Sequence, residues 1–78
     1  VIRGELAAAA HELVVEARSG LVAHDPAAEL LDRASVLLAL GRVAGALIDL
    51  EAADAALVGD PDRQELVESA RNLLGGAR

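Results

Sequence analysis

Over residues 27–58 the chain reads AAELLDRASVLLALGRVAGALIDLEAADAALV, two aliphatic blocks at helical spacing with Gly41-Arg42 between them. This stretch decides what the chain can become. If a helix runs through Gly41, the result is a rod of about 50 Å, at 1.5 Å per residue, set in a three-helix or dimeric bundle. If the helix stops there, the stretch is a hairpin. Carrying Gly41 and Gly45 inside one helix costs about 1 kcal/mol each relative to Ala, which packing can offset. Glycine just past the last periodic residue is also the usual left-handed helix stop. The expected fold is therefore all-α, with antiparallel hairpins of four helices in a solenoid-like arrangement. One long helix over 26–58 is the alternative.

The flanks carry the same period. Leu6, Ala10, Leu13, Val14, Ala17 and Leu21 recur at i, i+4, i+7, i+8, i+11 and i+15, with Glu5 and Arg18 placed to suit the helix dipole. Ser19-Gly20 offers a stop, and the stripe can run one turn further. Asp25-Pro26 and Asp60-Pro61 each read as an N-cap followed by the first helical residue. The expectation is one module over 1–78, with helices at about 5–22, 26–40, 43–58 and 61–74. Residues 1–4 look like the tail of an earlier element. Composition agrees: the chain is 54% hydrophobic with no aromatic and no Met, so Ala, Leu and Val supply the apolar content. Those are helix formers in the main, and the aromatics and Thr favoured in strands are missing. The third helix, with Ala44, Ile48 and Val58 widening its stripe, is expected to be packed on more than one side and to be the most buried.

The two Asp-Pro marks lie 35 residues apart, and residues 30–38 resemble 66–74, with Leu30, Ala34, Leu37 and Leu38 repeated as Leu66, Ala70, Leu73 and Leu74. Leu21-Val22 likewise returns as Leu57-Val58. A period of this length holding two helices is that of helix-turn-helix solenoids. The run Leu40-Gly41-Arg42-Val43, then Ala46-Leu47, Asp49-Leu50-Glu51 and Ala53, resembles the turn and second helix of tetratricopeptide repeats. The resemblance covers one full unit, 26–59, flanked by half units, and it departs from the family in lacking the large aromatics. It implies a protein-protein interaction scaffold whose binding face is lined by the second and fourth helices. Leu31, Asp32, Ser35, Leu38, Glu65, Ser69 and Asn72 would stand there. That acidic and apolar mixture suits a peptide or helix with basic and aliphatic anchors.

Chemistry has little to work with. There is no Cys, Lys, Tyr or Thr, and the two His have no ligand partners at metal spacing. His11-Glu12-Leu13 resembles the phosphoacceptor triplet of histidine kinases, but Val14-Val15-Glu16 follows where polar residues and Pro would stand, so phosphotransfer at His11 is a distant alternative. No catalytic residue, metal or cofactor is expected. The formal charge of -6, with all seven basic residues Arg and no basic stripe, argues against nucleic acid. No apolar run approaches about 18 residues, so no membrane span is read and a cytoplasmic setting is expected. The Ala, Arg and Gly bias resembles that of a GC-rich bacterial genome. Solenoids need about three repeats with polar caps, and neither outer helix looks polar enough. One hairpin cannot cover Leu6, Leu13 and Val14 at one end and Leu66, Leu73 and Leu74 at the other. Self-association, as an oligomerisation or docking bundle, or a longer parent chain is therefore expected.

Overall fold

The structure is a computed structural model that describes residues 2–76, with side chains over 4–75. Four α-helices follow one another: α1 (Ile2–Arg18), α2 (Pro26–Ala39), α3 (Val43–Ala56) and α4 (Pro61–Arg71), the last running into a π-helical turn, Asn72–Gly76. No strand occurs among the described residues. The fold is all-α. Val1, Ala77 and Arg78 lie outside the described residues, so the expected tail is addressed only at Ile2–Gly4, which are helical.

The chain turns back at Gly41, and the continuous helix over 26–58 is not formed. Gly41 takes φ +77°, a conformation that side chains with a Cβ rarely adopt. The Gly41 N–H donates to the Leu38 carbonyl at 3.0 Å and the Arg42 N–H to the Leu37 carbonyl at 2.8 Å. That pair of bonds is the Schellman pattern, which satisfies carbonyls that a helix end leaves without partners. At the other end Asp25 caps α2, its carboxylate accepting from the Ala27 N–H at 2.9 Å with Pro26 in the first turn. Asp60 does the same for α4, accepting from the Arg63 N–H at 3.3 Å behind Pro61.

Helix α1 begins three residues before its expected start and ends four residues short of Val22. Gly20, at φ +87°, ends it. The Ser19 N–H still reaches the carbonyls of Val15 and Glu16, and the chain then leaves the helix, with Leu21 half-buried and Val22 exposed. Both glycine stops thus act by the same left-handed geometry, and the stripe beyond Gly20 is not helical.

Packing joins α1 to both α2 and α4, and α2 to α3, with a thinner seam between α3 and α4. The first and last helices therefore lie against each other. Val14 and Val67 are fully buried, and Leu13, Leu66, Leu73 and Leu74 pack on the shared core. Leu13 and Val14 of α1 and Leu66, Leu73 and Leu74 beyond Pro61 are thus covered within the molecule. Alanine makes this possible. Ala10 and Ala17 of α1, Ala27 and Ala34 of α2, Ala46 and Ala53 of α3 and Ala70 of α4 all sit in the core at zero exposure. Small side chains at the contacts let helix backbones approach closely, and Leu31, Leu50 and Val14 fill the space between.

Arg63 fastens the closure. From the first turn of α4 its guanidinium donates to the Ala17 carbonyl at 2.8 Å and the Ser19 carbonyl at 2.5 Å, while Asp60 accepts from it at 2.6 Å. A cation is thus held at the negative end of α1, where it satisfies last-turn carbonyls.

The third helix is not the centre of packing. Only one of its sides is buried, through Ala46, Asp49, Leu50 and Ala53. Ala44, Ile48 and Val58, which widen its stripe, are exposed, Ile48 by 68% and Val58 by 75%. The helices number too few to cover α3 twice.

Candidate interaction surface

Of the seven residues expected to meet a partner, two are core. Leu31 is fully buried and Leu38 nearly so, because α2 turns the stripe containing Ala27, Ala34 and Leu38 inward against the other helices. They offer nothing to a ligand. Asp32 is exposed but accepts from Arg18 of α1 at 2.9 Å, and the Ser35 hydroxyl donates to the Asp32 carbonyl. Glu65, Ser69 and Asn72 lie on the outside of α4 and its π-helical extension. The seven do not form one face: Asp32 and Ser35 belong to the α1 side of the molecule, and Asn72 to the α3 side.

The surface that the structure does assemble lies along the thin α3–α4 seam. A groove of about 470 Å³ runs between Leu47, Ile48 and Glu51 of α3 and Glu68, Arg71, Asn72 and Gly75 of α4 and the turn that follows. Each wall has a local cause. Leu47 and Ile48 stand four and three residues before Glu51, so each neighbours it on the surface of α3. Glu68, Arg71, Asn72 and Gly75 recur at the same spacings. Gly75 lacks a side chain where one would press on Leu47, since a Cβ there would stand 3.2 Å from Leu47 Cδ1.

Polar ties hold the groove's edges. Arg71 donates to Asp54 Oδ2 at 2.9 Å and lies 3.7 Å from Glu51 Oε2. The Gln64 amide donates to the Asp54 carbonyl at 2.9 Å. The second Asp54 oxygen is buried and accepts from nothing among the described residues. One cation therefore serves Glu51 and Asp54, and Glu68 stands on the rim as a further acid.

Among the described residues Asp49 is the buried charge, at 5% exposure, and Arg33 of α2 reaches over to it with two bonds of 3.1 and 3.0 Å. The Asp49 carboxylate, first by hydrogen bonding and then by its charge, holds the Arg33 guanidinium above its ordinary value. This fork pairs α2 with α3. His11 lies half-buried on α1, bordering a shallow surface hollow with Glu12, Val15, Glu16 and Ser19.

Asn72, expected on the partner face, lines this groove; Ile48, expected to be packed, stands at the surface, and nothing near Arg63 in sequence points to its role at the end of α1. The signal for Ile48 was present: α3 carries apolar residues all round, more than a four-helix molecule can cover. Among the described residues no group of three or more His, Asp and Glu is gathered as a metal would need, and no helix is long and apolar enough to cross a membrane. No protein-family model matches the chain, and no curated protein or solved structure matches it significantly.

Proposed function

We propose that this chain is a non-catalytic protein-interaction module that receives an aliphatic anchor of its partner in the α3–α4 groove. The observation that carries the reading is the uncovered apolar side of α3. Ile48 is 68% exposed at the mouth of a groove floored by Leu47, where transfer of an isoleucine out of water would contribute about 1.5–3 kcal/mol. Val36 of α2 and Leu40, its C-cap, are exposed as well. The tetratricopeptide-like reading of the α2–α3 unit is supported by the turn at Gly41, with one departure: α1 packs on α4, so the face expected from α2 and α4 gives way to one made by α3 and α4.

The test is selection of helical peptides from a displayed random library on the wild-type chain, with Ile48→Asp as the counter-target. A change at so exposed a position should leave stability within about 0.5 kcal/mol, which thermal unfolding checks. Peptides enriched on the wild type and lost on the variant support the module. A pool that binds both chains alike, or no enrichment at all, removes the groove as its site.

A further inference from the structure

We infer that the partner segment is a cationic amphipathic helix, with a branched aliphatic residue seated on Leu47 and Ile48 and Lys or Arg residues meeting Glu51 and Glu68; this rests on the groove being the docking site. The charge arrangement carries the assignment. Three acids, Glu51, Asp54 and Glu68, surround the seam, and among the described residues Arg71 is the cation beside them, already bonded to Asp54 and close to Glu51. The rim is therefore acidic after its own ion pairs are formed. Glu65 precedes Glu68 by three residues on α4 and is exposed, which continues the acidic edge along that helix.

The whole chain points the same way. A formal charge of -6 on 78 residues repels a second copy and a phosphate backbone alike, and attracts a basic segment to a groove whose apolar floor sets its register. An extended strand has no free sheet edge to join here, whereas a helix can lay aliphatic residues four apart along the groove between two helices. Flanking cations at the next turns would then face Glu51 on one wall and Glu68 on the other.

Two synthetic peptide pools test this on the full chain by fluorescence anisotropy. Both carry the same Leu/Ile stripe at helical spacing; one has Lys and Arg at the flanking positions and the other Asp and Glu. The cationic pool is expected to bind, to weaken as salt rises, and to lose about tenfold in affinity on the doubly neutralised variant Glu51→Gln/Glu68→Gln. The acidic pool is expected not to bind. Val22→Asp, an exposed change away from the groove, should leave binding unaltered. Equal binding of both pools, still lost in Ile48→Asp, overturns the cationic partner while leaving the docking groove in place. Binding by neither pool overturns the cationic helix, and failure of the library selection besides takes the groove with it. Sedimentation showing a dimer that Ile48→Asp dissociates would make a second copy the occupant and overturn the inference.

Discussion

At Asp60 one carboxylate accepts from the Arg63 backbone with one oxygen and from the Arg63 guanidinium with the other, while that guanidinium also holds the end of α1. The side-chain bond first, and the backbone bond second, hold the Asp60 carboxyl below its ordinary value. A depressed folded value means that the unfolded chain binds the proton more readily. Its stabilisation is thus fully present above about pH 4, the unfolded value, and is lost as pH falls through the lower folded value. Urea unfolding followed by circular dichroism should show wild-type stability falling more steeply below that pH than in Asp60→Asn, which keeps a capping oxygen without the titration. Asp60 was legible as a cap because capping is a matter of neighbouring residues. Its second partner was not, since Arg63 acts on carbonyls 44 and 46 residues earlier in the chain. Leu31 and Leu38 show the same limit from the other side. Their aliphatic character was plain, but whether such a residue faces a partner or the core depends on what lies across from α2.

Two glycines stop two helices by the same left-handed turn, yet their surroundings differ. Nothing lies within 4 Å of the place where a Cβ on Gly41 would stand, whereas one on Gly20 would meet Arg63 Nη2 at 2.9 Å. Gly41→Ala should therefore cost only the backbone penalty, about 1–2 kcal/mol. Gly20→Ala should cost more, because it also displaces the guanidinium from the end of α1. In an Arg63→Ala background the excess should vanish, and a double-mutant cycle by denaturant unfolding measures the difference. An excess that survives the loss of Arg63 would separate Gly20 from the α1–α4 closure. At this scale the sequence was a good guide: the stop at Gly41 and the starts at Asp25-Pro26 and Asp60-Pro61 all appear where the residue types put them. The overrun of α1 toward Val22 came from following apolar periodicity past a glycine.

The four helices close into a ring whose joints are unequal. The α1–α2, α2–α3 and α1–α4 contacts are broad, and the α3–α4 seam is narrow, tied mainly by Gln64 and Arg71 to the end of α3. Local opening follows the joints with the least buried apolar contact. Amide hydrogen exchange should thus be slowest around Leu31 and Val14 and faster on the α4 side of the groove, around Glu68 to Asn72. Uniform protection across all four helices would mean that the seam is as strong as the other joints. A docking segment laid along the groove would add contacts where the ring has fewest, so binding should slow exchange there first.

By itself the sequence determined the helices, their caps and their stops. These depend on bonds within a turn or so of chain, between residues whose neighbours are known from their order. Only the tertiary structure decided which apolar sides are covered. The period of α3 offers two sides to bury and the molecule covers one, because α1 turns to α4 and an arginine of α4 holds the end of α1. That choice is made by contacts between residues far apart in sequence, to which helical periodicity carries no reference, and it is what leaves Ile48 at the surface.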